Sequence, residues 1–508
     1  MIRTLSLCKP NFIFASGLCV AIAACTTAPQ PKNLIAQTTD PWWHSGRAAV
    51  EKRQAAGVNH GQAKNVILFI GDGMGVSTVT AARIFDGQSR GELGEENHLS
   101  FERFPNVALV KTYNTDSQVP DSAATASAMN TGVKTRFQSV GIWSDQPPSD
   151  CIGKETDFPL SLAELAESKG LSTGIVTTDK ITYATPAAVY AHAQHRHWED
   201  DTKLPNWAKE KGCIDIARQL VNFDYGDGID VILGGGSESL LPVHKGGLRQ
   251  DNRNLITEWQ DKNGSGKFIS NTQQLRQLNS QQLPSKLMGL FTNSHMSSIL
   301  DKDLDIEPTL SEMTATAIDV LSSNKNGYFL MIENGLIDHN HHRNNAYRAL
   351  TETKELSKAI STALSKVDLS NTLVLVTADH SHPFTLSGYS KRGNPILGHV
   401  KPIAAKGSDN IIDGKSLDIN GAPYTSLGYR AGPKVRVSSN ETKHSSHAEH
   451  DAVSPNYTQE SAIEKPQGIH SGEDVALYAV GPQSYLVSGV MEQHVIFHII
   501  EHALELKN

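Results

Sequence analysis

Five short apolar runs, each giving way to glycine, aspartate or histidine, restrict what this chain can fold into more than any other feature. They are NVILFIGDGMG from Asn65, STGIVTT from Ser172, DVILGGG from Asp230, GYFLMIENG from Gly327 and TLVLVTADHSH from Thr372. Runs of this length, with no polar alternation, suit strands buried on both faces. Segments with helical patterning lie between them, at Leu160 to Lys169, Thr309 to Asn324 and Tyr347 to Lys366. Strands alternating with helices predict an α/β fold, with a central, mostly parallel β-sheet flanked by helices on both faces. In such sheets functional groups collect beyond the C-terminal strand ends. The residues that close these runs are therefore the first candidates for chemistry.

The length of 508 residues allows two or three domains, or one large α/β domain with insertions. Asp40-Pro41 reads as a helix start, with a short helix over Trp42 to Ala56, so the globular part is placed at 40–508. From about 387 to 456 the composition shifts to Gly-, Ser- and Lys-containing sequence. That predicts a surface insertion late in the chain, before strand-like VALYAVG at Val475. Ahead of the domain, Met1 to Ala24 carries Arg3 and Lys9 and the apolar stretch NFIFASGLCVAIAA. This stretch is shorter than the roughly 20 residues of a membrane span, and reads as an export signal over 1–24. Ile22-Ala23-Ala24-Cys25 resembles a bacterial lipobox, so Cys25 is expected to carry lipid, with 25–39 as a polar tether. The expected location is outside the cytoplasm, periplasmic or at the cell surface, with Thr26 favouring the outer membrane. Once Cys8 and Cys19 leave with the signal, Cys151 and Cys213 remain as a pair for a disulfide. Two free buried thiols are the alternative. The net charge of -8 argues against a nucleic-acid partner.

The candidate residues follow in turn. In VPDSAATASAMNTG, from Val119, Asp121 can cap a helix and put the Ser122 hydroxyl in its first turn, where free N–H groups favour an anion. Asp72 ends the first run, as a ligand or a cap. After GYFLMI come Glu333, Asp338, His339, His341 and His342, with Asp338 and His342 four apart and able to share Zn²⁺ from one helix face. TLVLVTADHSH supplies Asp379, His380 and His382. Asp379 and His380 can meet one metal only if the strand has ended before them, and His382 can then orient a ligand carboxylate. His470 lies in a glycine-flanked loop. Mixed His and carboxylate sets suit Zn²⁺, whereas oxygen-only sets suit Mg²⁺.

Taken together, GDGMG, VPDSAAT, IDHNHH, TADHSH and IHSGEDVA make the chain resemble the alkaline phosphatase family from about Pro41 to its C-terminus, closer to the animal-type branch. The resemblance implies hydrolysis of small phosphate monoesters through a phosphoserine at Ser122, two Zn²⁺ and one Mg²⁺, and a homodimer. Carried over by position, Asp338, His342 and His470 match one zinc set. Asp72, Asp379, His380 and the Ser122 oxygen match the other, and Asp72, Thr185 and Glu333 match the Mg²⁺ set. Arg196 matches the arginine whose fork binds two phosphate oxygens, and Asp121 the residue that positions it. Cys151 and Cys213 match a disulfide of the animal branch. His339 matches a histidine of that branch, expected to reach phosphate through water. Tyr183 stands where the family usually carries an aspartate or histidine beside the Mg²⁺ water, and Thr292 replaces one carboxylate of the branch's calcium site, which is not expected here. The competing readings are a phosphodiesterase or sulfatase, and a non-catalytic metal- or phosphate-binding lipoprotein. Ser122-Ala123-Ala124-Thr125-Ala126 lacks the Cys/Ser-x-Pro-x-Arg motif of sulfatases, and a metal store needs neither Ser122 nor Arg196.

Overall fold

The computed structural model describes residues 48–51, 57–146, 158–278, 283–403, 411–412, 414–435 and 449–506. The chain divides into two units, Met1–Gly57 and Val58–Asn508. In the first, 48–51 and 57 are described, with 48–51 as helix within the span where one was expected. The expected signal, tether and Cys25, together with Cys151 and part of 387–456, lie outside the described residues.

Among the described residues of the second unit, the main sheet has ten strands: β1 (Asn65–Gly71), β2 (Asn106–Lys111), β3 (Ser172–Lys180), β4 (Val231–Gly235), β5 (Lys267–Ile269), β6 (Leu287–Leu290), β7 (Tyr328–Asn334), β8 (Thr372–Ala378), β9 (Val475–Val480) and β10 (Gly489–Glu492). They lie side by side in the order β10-β2-β9-β8-β1-β7-β3-β4-β6-β5. Every neighbouring pair is parallel except those made by β9, which runs antiparallel to β2 and β8. The central strands are the apolar runs of the sequence, and Val66 to Ile70, Phe329 to Ile332 and Leu373 to Val376 are wholly buried. Each such large side chain contributes about 1.5–3 kcal/mol on leaving water.

Helices α1 (Val76–Gln88), α2 (Ser122–Thr131), α3 (Ala184–Ala187), α4 (Leu310–Leu321), α5 (Leu336–His342) and α6 (Ala346–Lys366) complete the frame around the site. α4 opens on a capping box in which Thr309 accepts from the Glu312 N–H and the Glu312 carboxylate accepts from the Thr309 N–H. It then buries Leu310, Met313, Thr314, Ala317, Ile318 and Leu321, the stripe a 3.6-residue period lays on one face. α1, α4 and α6 pack together, with α4 and α6 over the strands, while α2, α3 and the helices Leu162–Ser168 and Val495–Ala503 form a second packed group.

Register decides where the chemistry lies. Gly71 is level with Asn334 on one side and Ala378 on the other, and Thr177 is level with Glu333. β8, β1 and β7 thus end level, with Asp379 and Asp72 one residue beyond the ends of β8 and β1 and Glu333 one residue before the end of β7. β8 stops at Ala378, so Asp379 and His380 sit in the turn beyond it and need not point apart. Gly73, at φ +67°, turns the chain out of β1 where a Cβ would stand 2.7 Å from His382 Cδ2. Between β8 and β9 the described residues form a three-stranded sheet of Phe384–Leu386, Leu427–Gly432 and Ser461–Glu464. It braces α5, since Tyr429 Oη lies 2.7 Å from His341 Nδ1.

Candidate active site

α2 begins at Asp121, whose extended backbone and side chain cap it: Oδ2 accepts from the Ala123 N–H at 3.2 Å. The same carboxylate accepts from Arg196 Nη1 at 3.1 Å and, through Oδ1, from the Gln138 N–H at 2.9 Å. One buried side chain therefore starts the helix and holds the guanidinium. Ser122, in the first turn, has Oγ 3.5 Å from Asp72 Oδ2 and 3.1 Å from His380 Nε2. The other face of Arg196 lies on the Tyr183 ring, 4.7 Å from its centroid.

Two clusters of nitrogen and carboxylate oxygen flank this serine. In one, His380 Nε2 lies 3.4 Å from both Asp72 Oδ1 and Asp379 Oδ2. In the other, α5 puts Asp338 and His342 on one face, with Asp338 Oδ2 3.3 Å from His342 Nε2, and the loop bearing His470 closes over them. His470 Nε2 lies 3.1 Å from His342 Nε2 and 3.5 Å from Asp338 Oδ1. The far nitrogens of the two imidazoles lie against backbone carbonyls, His470 Nδ1 at Pro120 and His342 Nδ1 at Gly468, which fixes ring orientation. His382 Nε2 contacts Asp338 Oδ1 at 2.5 Å. The rings of His380 and His470 stack at 3.7 Å, joining the clusters. A cleft of ≈ 470 Å³ opens beside Tyr183, Asp338, His339, His342 and Arg343.

A third cluster is all oxygen: Asp72, Asp179 and Glu333, with Thr185 of α3 beside Glu333. Thr177 Oγ1 donates to Glu333 Oε2 at 2.5 Å. Here the electrostatics call for cations. Burial, with Asp379, Asp338, Glu333 and Asp179 nearby, pushes the Asp72 carboxyl well above its ordinary range, and burial with Asp179 nearby pushes Glu333 up to about 8. Asp338 goes the other way, because His342, His382 and His470 outweigh the effect of burial and hold it well below the usual range. Asp72 Oδ1 and Glu333 Oε1 are buried without a hydrogen-bond partner. Buried carboxylates in that state are costly unless paired or bound to metal. The donor sets match the ions they would hold: mixed nitrogen and oxygen twice, oxygen once.

The structure brings the residues of the three ligand sets together with Ser122, Asp121 and Arg196, from Asp72 to His470, whereas His341 turns its ring nitrogens to Thr78 and Tyr429. His339, on α5, turns Nε2 toward Asp179 at 3.4 Å. Cys213 is buried and disulfide-bonded. Sequence reasoning missed Asp179 and His295, whose Nδ1 lies 3.0 Å from Asp179 Oδ1. Asp179 carries the same signal as the other strand-end acids, a carboxylate directly after an apolar run, whereas a lone histidine in the loop after β6 carries none.

Known proteins give the same picture. The family model described as alkaline phosphatase matches residues 63–506. The tissue-nonspecific isozyme of alkaline phosphatase from Gallus gallus is 41% identical over 460 residues, 88% of this chain and 85% of the relative. An alkaline phosphatase of Gadus morhua is 40% identical over 462 residues, covering 88% of this chain and 92% of its own. The solved structure of alkaline phosphatase from the Antarctic bacterium TAB5 aligns with TM-score 0.59 at 24% identity, over 88% of this chain and 100% of that one, a likeness of fold. On a family-model match and relatives of this extent, the chain belongs to the alkaline phosphatase family.

Proposed function

We propose that the chain hydrolyses phosphate monoesters with Ser122 as nucleophile. One observation carries the reading: Ser122 Oγ stands at the N-terminus of α2 against Asp72 and His380, with Arg196 anchored alongside by Asp121. In this reading Asp338, His342 and His470 hold one Zn²⁺, Asp72, Asp379, His380 and Ser122 a second, and Asp72, Thr185 and Glu333 a Mg²⁺, which together supply the Lewis acidity the reaction needs. Arg196 binds two non-bridging phosphate oxygens through its fork and, with Asp121 behind it, keeps phosphorus in line with Ser122 Oγ. The serine loses its proton and attacks; the bond from phosphorus to the alcohol oxygen breaks, the alcohol takes up a proton and phosphate remains on Ser122. Water then attacks the phosphoserine, the phosphorus–Oγ bond breaks, and inorganic phosphate leaves as the hydroxyl is restored. The N–H groups at the start of α2 favour the anion throughout.

The test is hydrolysis of a chromogenic monoester beside the matching diester. An alkaline optimum, preference for the monoester and loss of turnover with a chelator are expected. Undiminished turnover in Ser122→Ala would refute the covalent route.

Three further features belong to the same reading. Cys151 is the partner proposed for Cys213, because the other cysteines fall in the signal or at the lipidation position. Export with a lipid on Cys25 would hold the enzyme at a membrane, most simply the outer one. Loss of labelled fatty acid in Cys25→Ser checks it. The proposed assembly is a homodimer, read by light scattering as twice the chain mass.

A further inference from the structure

We propose that Asp179, His295 and His339 form a fourth divalent-cation site, selective for Zn²⁺ and similar borderline ions, which shares Asp179 with the oxygen cluster of Asp72 and Glu333. The three residues come from the end of β3, the loop after β6 and α5. They bring one carboxylate and two imidazole nitrogens within 4.8 Å of one another. His295 Nδ1 lies 3.0 Å from Asp179 Oδ1, and His339 Nε2 lies 3.4 Å from Asp179 Oδ2. A tetrahedral ion with ligands at about 2.0–2.1 Å sets neighbouring donor atoms about 3.4 Å apart. The clusters beside Ser122 show that spacing, at 3.3 and 3.5 Å around Asp338 and 3.4 Å twice around His380.

Aligned hydrogen bonds do not account for the arrangement. Asp179 is 0% exposed, yet neither of its oxygens, nor His295 Nδ1, nor His339 Nε2, is aligned with a hydrogen-bond partner. Four buried polar atoms thus share space within ion-pair reach of one another but out of hydrogen-bond alignment, an arrangement that a bound cation satisfies. The backbone has been cleared for the carboxylate as well: any Cβ at Gly335 would collide with Asp179 Oδ2. The loop is held in place by the Met296 N–H, which donates to the Thr178 carbonyl at 2.9 Å.

Donor chemistry sets the ion class. Two imidazoles with one carboxylate favour Zn²⁺ over Mg²⁺ or Ca²⁺. The histidine side chains keep 24% and 18% exposure, so water can complete the coordination. Tyr183 packs edge-on against His295, with centroids 4.8 Å apart, and carries Arg196 on its ring. An ion here would fix the ring that supports the arginine, one residue removed from Ser122 chemistry.

The experiment uses zinc-loaded, desalted enzyme. Crystals are measured above and below the zinc absorption edge, and zinc per chain is counted by mass spectrometry for wild type and His295→Ala. An anomalous peak enclosed by Asp179, His295 and His339 is expected in the wild type, and His295→Ala should lose one zinc equivalent while the peaks beside Ser122 remain. No peak there in the wild type, a peak only after millimolar soaking, or an unchanged count in a folded His295→Ala would overturn the proposal. If that variant does not fold, the wild-type diffraction decides alone. Neither readout depends on turnover, so the site can fail while the phosphatase reading stands, and the reverse.

Discussion

Asp121 offers the sharpest division between what holds the fold and what holds the substrate, because its carboxylate caps α2, accepts from Gln138 and pairs with Arg196 at once. Asp121→Ala removes all three. Loss of the cap costs about 1 kcal/mol, and the orphaned Gln138 N–H about another 1 kcal/mol. The guanidinium left without its acceptor adds about 1–3 kcal/mol, for a total near 3–5 kcal/mol. Asp121→Asn behaves differently. Asparagine has a single acceptor oxygen: placed as Oδ2 it keeps the cap at Ala123, while its amide nitrogen faces the Gln138 N–H and the bond to Arg196 loses its charge, costing about 2–3 kcal/mol. Both variants free Arg196 to sample rotamers that phosphate must then freeze, a loss of up to about 2 kcal/mol. Relief of repulsion between carboxylate and phosphate acts in the opposite sense, but it is damped by the cationic surroundings, and immobilisation wins. The inhibition constant of inorganic phosphate is therefore expected to rise about tenfold in both, a change of about 1.4 kcal/mol. Chemical denaturation and product-inhibition kinetics measure the two effects separately. Equal stability of the two variants would refute the capping role, and a phosphate constant within twofold of wild type in Asp121→Asn would refute the anchoring role.

Two other perturbations test the frame of the site. Gly73→Ala must place a Cβ 2.7 Å from His382 Cδ2 at φ +67°, so a loss of about 2–4 kcal/mol and of most activity is expected, read by thermal melting and by turnover. Full activity there would show that the turn after β1 can relax. Glu167 lies outside the site. Burial, with Asp230 adding and Thr173 opposing, lifts its carboxyl to about 8 from an ordinary 4.5. The folded state then holds the proton more tightly than the unfolded chain, so stability falls as pH rises from about 4.5 through about 8. Glu167→Gln should therefore gain a few kcal/mol over wild type at pH 9 and little at pH 4. A gain independent of pH would contradict the assignment.

The sequence disclosed the sheet because its central strands are buried on both faces, and that burial shows as unbroken apolarity: Val66 to Ile70 and Leu373 to Val376 could be little else. It disclosed most of the site for a related reason. A strand end is where such a run must stop, and in Asp72, Glu333, Asp379 and His380 it stops on a ligand-type side chain. What it could not give was register. That Gly71 would be level with both Asn334 and Ala378 follows from pairing between segments 263 and 307 residues apart, which no local pattern encodes. His295 was hidden for the same reason. Its partners Asp179 and His339 lie on two other segments, and a single histidine in LFTNSHM looks like any solvated loop residue until β3, β6 and α5 are folded against one another. Asp179 was in principle legible, as the acid that follows STGIVTT. Its significance lies in serving two clusters, the oxygen set with Asp72 and Glu333 and the imidazole pair beyond. A substitution at Asp179 should therefore disturb both sets together, whereas one at His295 disturbs a single set, a difference that only the folded arrangement supplies.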